Sequence, residues 1–258
     1  MPSIAIVTGA SSGLGREFVR QIDAGGFGGI DEIWAIARRA DRLDALVRTC
    51  KLNVRPLCLD LTDPASFKLL AASLAETEDA RISLLVNAAG FGTFGDFACQ
   101  GRSDAGRMAS LLMLAPVELT YLALPYMRTG SRIVNISSVA AFLPQPRLAV
   151  YSASKRFLLD LSRSLDTELG DVGIHVTAVC PKFMRTGFLD APGDGEAARR
   201  MTAIGFERPE RVVSEALRAA RAGRNLCITS PDMLAWYALS HVLPYKAAIR
   251  AERMLGIL

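Results

Sequence analysis

Apolar residues come in short unbroken runs separated by longer amphipathic stretches. The runs fall at 3–8, 32–37, 54–59, 82–87, 132–136, 174–180 and 226–229. Between them, apolar positions recur every three to four residues, most clearly over 14–24, 40–51, 64–77, 103–128, 150–170 and 208–222. Short runs without polar alternation predict strands buried on both faces; the longer period predicts helices packed over them. Strands alternating with helices predict an α/β protein: a doubly wound parallel sheet of about seven strands, joined by right-handed crossovers, with a ligand crevice at the strands' carboxyl ends. No linker, low-complexity tract or internal repeat interrupts the pattern, so residues 1–258 read as a single domain.

Composition narrows the function classes. The chain has 258 residues, of which 50% are hydrophobic, enough for a sizeable core. The net charge is only +4 and the basic residues are scattered, which argues against a nucleic-acid partner. No apolar run is expected to reach the length of a membrane span, and the first strand leaves no room for a signal peptide. The five cysteines form no CxxC pair, and Cys58, Cys180 and Cys227 fall in or at the end of apolar runs as small hydrophobes. A reducing, cytoplasmic setting is therefore expected. His175 and His241 have no metal-ligand spacing, so no metal is expected.

Three local patterns carry chemistry. The first strand ends in Thr8-Gly9 and is followed by Gly13 and Gly15 at the start of a helix. Glycines let the backbone turn tightly and approach a ligand, and a helix N-terminus suits a pyrophosphate. The second strand ends Ala37-Arg38-Arg39, at the position that faces the adenosine ribose in a dinucleotide fold. An acid there favours NAD, whereas an arginine favours the 2′-phosphate of NADP. Arg38 is the main candidate, and an exposed arginine at a helix start is the plainer reading. Third, Ser137-Ser138 ends the fifth strand, and thirteen residues after Ser138 come Tyr151 and Lys155, one helical turn apart on one face.

Together, Thr-Gly-x-x-x-Gly-x-Gly, Ser138 and Tyr151-x-x-x-Lys155 resemble the short-chain dehydrogenase/reductase family, over a stretch from Ile4 to about Phe188. The resemblance implies a Rossmann-type fold and an oxidoreductase that interconverts a ketone or aldehyde and an alcohol with NADP(H), NAD(H) being the less favoured cofactor. It gives Tyr151 the proton donated in reduction and removed in oxidation. Lys155 and the oxidised nicotinamide would together lower the phenol's pKa, ordinarily about 10, and Lys155 would also bond the nicotinamide ribose. Ser138 would hold the substrate oxygen, with Ser137 the alternative. Cofactor contacts are implied at Gly9, Ser11, Ser12, Gly13, Leu14, Gly15 and Arg38, and at Asp60 and Leu61 beside the adenine. Others are implied at Asn87, Ala88, Ala89 and Gly90, then Tyr151, Lys155, Pro181, Phe183 and Thr186.

Three positions depart from the family pattern. Ala88 stands where a second asparagine is usual, Leu112 where an asparagine helps hold a proton-relay water, and Lys182 where glycine follows the proline. Leu112 and Lys182 motivate an alternative function, a catalytically weak NADP(H)-binding regulatory or scaffold protein. The aromatic segment 91–97 reads either as a wall of the substrate site or as packing within its own loop. A flap is expected near 187–206. The apolar segment 231–258 would pack on a partner subunit, close the pocket, or touch a membrane surface peripherally. These features point to an apolar, steroid-like or lipid-like small-molecule substrate. The resemblance also implies a homodimer or homotetramer, with 103–128 and 150–170 at the interface.

Overall fold

The computed structural model describes residues 2–184 and 205–254. Seven strands form one sheet: β1 (Ser3–Thr8), β2 (Glu32–Ala37), β3 (Asn53–Cys58), β4 (Arg81–Asn87), β5 (Arg132–Ile136), β6 (His175–Val179) and β7 (Leu226–Cys227). All are parallel, in the order β3-β2-β1-β4-β5-β6-β7. The order reverses between β1 and β4, which opens a crevice at their carboxyl ends.

Helices cover both faces. Ala5 and Val7 of β1 face Phe18, Val19 and Ile22 of α1 (Gly13–Asp23) and Leu43 and Leu46 of α2 (Ala40–Thr49). Val212, Val213, Ala216 and Leu217 of α7 (Pro209–Arg221) complete that layer. Ile4 and Ile6 point the other way, to Leu70 and Leu74 of α3 (Pro64–Ala75) and to the helix that follows β4. Two-sided burial is why the strands read as continuous apolar runs. Asp63 caps α3 by accepting from Ala65 N–H at 2.9 Å, ahead of Pro64.

The stretch expected as one helix over 103–128 is α4 (Arg102–Ala109) and α5 (Ala115–Ala123), joined by a π-helical turn over Ser110–Leu114. Pro116 has no N–H to donate to the Leu112 carbonyl, and the wider turn falls at that gap. The whole piece, Arg102–Tyr126, has a length of 25 residues and contains a stretch with a mean hydropathy of 1.5, enough by length and composition alone to cross a membrane. That corrects the expectation that nothing reaches this length. Its apolar content is explained by Met108, Leu112, Ala115, Leu119 and Ala123, which are buried in the core.

After β5 comes α6 (Ala149–Gly170), and after β7 come α8 (Pro231–Ser240) and α9 (Tyr245–Met254). The last two were not legible as helices, because apolar residues lie all round α8 and leave no stripe to read. β7 is shorter than the 226–229 run. Cys58, expected in an apolar environment, is exposed on the edge strand β3, whereas Cys180 and Cys227 are buried. All five cysteines are free thiols.

Candidate active site

A cleft of about 620 Å³ runs across the carboxyl ends of the central strands. Its floor is the turn between β1 and α1. Gly9 has φ +68°, and a Cβ there would meet the Ala89 Cα at 2.9 Å and the Ala88 oxygen at 3.0 Å. Thr8 ties the same strand ends together: its hydroxyl accepts from the N–H groups of Ala88 at 2.9 Å and Ala89 at 3.0 Å. Ser12 starts α1 without a side-chain cap, and the first turn carries no acid. The positive end of the helix therefore faces the cleft, as an anionic group requires. This cradle fits a dinucleotide's pyrophosphate.

Gly9, Ser11, Ser12, Gly13 and Leu14 line the cleft, as do Arg38, Asp60, Leu61, Ala88, Ala89, Gly90, Pro181 and Phe183. Gly15 does not. A Cβ on it would meet the Gly9 oxygen at 2.3 Å, so its work is to let α1 approach β1. Asn87 is also behind the lining: its amide donates to Asn135 at 2.8 Å, and Asn135 donates to Ser162 at 2.9 Å, linking β4, β5 and α6. Thr186 lies outside the described residues, as does most of the expected flap.

At one end of the cleft the cations differ from the sequence reading in detail. Arg39 donates to the Ser11 hydroxyl at 3.0 and 3.3 Å, directly beside the glycine turn. Arg38 instead pairs with Asp60 at 3.9 Å. Arg42 joins them, one turn further along α2. Its spacing from Arg38 and Arg39 is the signal in the sequence that marks it. Burial opposes the charge on Asp60, but the Thr62 N–H and hydroxyl, donating at 3.0 and 2.8 Å, and Arg38 hold its carboxyl below the usual range.

At the other end stand Ser138, Tyr151 and Lys155, all buried. The Ser138 hydroxyl is hydrogen-bonded to Tyr151 and accepts from Ala140 N–H at 3.1 Å. Ser137 is used differently: its hydroxyl donates to the Lys155 carbonyl at 2.7 Å, anchoring α6 to β5. That separates the two serines, of which the family spacing favoured Ser138. The Lys155 ammonium donates to the Ile136 carbonyl at 2.6 Å and lies 5.6 Å from the centre of the Tyr151 ring.

Burial governs the protonation of this set. It pushes the Tyr151 phenol up to about 12, against the lowering by the Ser138 hydrogen bond. It brings the Lys155 ammonium down to about 8 and the neighbouring Cys180 thiol up to about 12. Without a nucleotide, burial is the largest influence on the phenol, because the ring lies in a low-dielectric interior. Tyr151 stands protonated, as an acid.

The wall around Tyr151 is apolar: Phe94, Met108, Leu112, Ala140 and Leu148, with Phe91 and Phe183 packed against them. Phe91 lines the cleft, Phe94 packs against the loop and core, and Phe97 is exposed. Leu112 lies 2.8 Å from where a Gly90 Cβ would stand and fills the space beside Tyr151 with hydrocarbon. The histidines serve packing: His175 pairs with Asp166 at 3.2 Å, and His241 contacts the Tyr237 carbonyl at 2.7 Å.

Comparison with known proteins agrees with this geometry. The family model for short chain dehydrogenases matches residues 3–196. An uncharacterised short-chain type dehydrogenase/reductase, y4vI, from Sinorhizobium fredii is 30% identical over 241 residues, covering 90% of this chain and 42% of that one. Very-long-chain 3-oxoacyl-CoA reductase-A from Danio rerio is 29% identical over 192 residues, covering 70% of this chain and 58% of that one. The chain thus spans about half the length of these two relatives. A solved short-chain dehydrogenase from Sphingobium yanoikuyae in complex with NADPH superposes with a TM-score of 0.77 at 29% identity, covering 98% of this chain and 96% of that one. With three quarters of its length matched by one family model, this chain belongs to the short-chain dehydrogenase/reductase family.

Proposed function

We propose that the chain is an NADP(H)-dependent oxidoreductase that interconverts a bulky, apolar ketone and its alcohol. The observation that carries this reading is a single cleft with a glycine-floored, arginine-rimmed anion cradle at one end and Ser138, Tyr151 and Lys155 at the other. The nicotinamide would supply or accept the hydride. Tyr151 donates the proton to the carbonyl oxygen, and Ser138 orients that oxygen and offsets its developing charge. Lys155 supplies the cation that stabilises the phenolate left behind. The hydrocarbon wall of Phe91, Phe94, Leu112 and Phe183 excludes water and favours an apolar substrate. The acyl-chain chemistry named for the Danio rerio relative supports the same substrate class. A cytoplasmic homodimer or homotetramer belongs to this reading, supported by exposed Leu114 and Tyr121 on the α4–α5 stretch.

The test is consumption of NADPH and NADH against a panel of bulky ketones, with Arg39→Ala alongside. Arg39 stands against Ser11 at the ribose end, where a 2′-phosphate would accept charge-assisted hydrogen bonds. Its removal is expected to raise the KM for NADPH roughly 10- to 100-fold and leave that for NADH unchanged. Equal use of both nucleotides by the parent protein, with no effect of the substitution, would overturn the NADP preference. A second reading, a cofactor-binding protein without efficient chemistry, is favoured by Leu112 alone. Tight NADPH binding with no turnover across the panel would select it.

A further inference from the structure

Lys182, which stands where the family has glycine, is held from two sides by carboxylates of other elements. Its backbone N–H donates to Glu207 at 2.8 Å, and the Thr229 hydroxyl donates to the same oxygen at 2.8 Å. Its ammonium pairs with Asp232, in the first turn of α8. The Lys182 side chain is only 10% exposed, so it is drawn inward rather than extended into solvent. The neighbouring backbone is fastened as well. Pro181 O accepts from Val139 N–H at 3.1 Å, Phe183 O accepts from Glu207 N–H at 2.9 Å, and Met184 bridges in parallel to Glu207. Pro181 through Met184 line the catalytic end of the cleft.

The other end of this linkage is lightly held. α8 contains no fully buried residue. Met233, Trp236 and Tyr237 rest on Phe142, Leu159 and Cys180, with Tyr237 4.8 Å from the Phe142 ring and its hydroxyl accepting from Arg163 at 2.8 Å. An element with few buried contacts opens locally at low cost. The Lys182–Asp232 ion pair is a direct link between this element and the cleft wall.

We infer that Lys182 and Asp232 are positioning residues that couple the docking of α8 to nucleotide binding in the cleft. The inference rests on the nucleotide-binding reading above. A nucleotide that packs against Pro181–Met184 adds to what holds Lys182, and Lys182 in turn holds Asp232. Coupling of this kind is reciprocal, so whatever loosens α8 weakens nucleotide binding by the same factor. A simple surface pair would carry no such link.

Hydrogen exchange of the full chain with and without NADPH tests this, with a binding titration beside it. NADPH should slow exchange of the 233–240 amides about threefold beyond its effect elsewhere, and Asp232→Asn should abolish that extra protection and weaken NADPH binding by about threefold. Asp232→Glu should retain both effects, and the reversed pair Lys182→Asp with Asp232→Lys should restore them. Exchange over 233–240 that ignores NADPH in a protein that binds it would overturn the coupling and leave the proposed function standing. If the parent protein bound neither NADPH nor NADH, both would fall, and the titration distinguishes the two failures.

Discussion

Replacing Tyr151 by phenylalanine is expected to reduce carbonyl reduction by about 10²–10⁴-fold, the range that a positioned general acid contributes. The ring sits in a packed apolar wall, which phenylalanine fills equally well, so the fold should survive. The hydroxyl and its bond to Ser138 are lost, at a cost to stability of about 1 kcal/mol. Nucleotide affinity should stay within about twofold, so that the loss appears in kcat, as for an interaction made chiefly in the transition state. Steady-state kinetics and a nucleotide titration on the two proteins measure this. Undiminished turnover would remove Tyr151 from the chemistry.

The second large effect is expected at Gly15. A Cβ there would lie 2.3 Å from the Gly9 carbonyl oxygen and 2.7 Å from that of Thr8, and neither backbone atom can yield without moving the turn. Gly15→Ala should cost at least about 2–3 kcal/mol and lower Tm by about 5–10 °C. It should also weaken nucleotide binding at least tenfold, on the order of 1.4 kcal/mol, because the cradle opens as α1 is pushed off β1. Gly106 is the control. It lies inside α4 with nothing within 4 Å of an added Cβ, so Gly106→Ala should stabilise by about 0.5–1 kcal/mol. Thermal melts of the two variants separate the clash from the general effect of adding a methyl group.

Much of this site could be read from the chain because its signals are local. Two-sided strand burial writes itself as unbroken apolar runs, and Gly9, Gly13 and Gly15 fall within one turn. Tyr151 and Lys155 share a helical face by spacing alone. What could not be read depends on where distant residues meet. The tie that Asn87 was expected to make between adjacent strands is present, but its partner, Asn135, is set by the β4–β5 register and could not be named from the chain. Lys182 finds Asp232 fifty residues away, across an element whose apolar residues show no stripe. Spacing places an ammonium near Tyr151 but does not show the burial that raises its phenol. Leu112 was legible as a departure. Its consequence, a hydrocarbon contact beside Gly90 and Tyr151 at a π-helical turn, required the fold.

The central claim is that this cleft moves a hydride between a nicotinamide and a carbonyl carbon while Tyr151 supplies the proton. NADPH carrying deuterium at C4, prepared separately on each face, tests it with any ketone that the protein consumes. The account predicts deuterium on the carbinol carbon from one face only, and no labelled alcohol from the Tyr151→Phe protein on the same timescale. An unlabelled alcohol from both preparations, or bound NADPH that is never oxidised by any carbonyl offered, would contradict it.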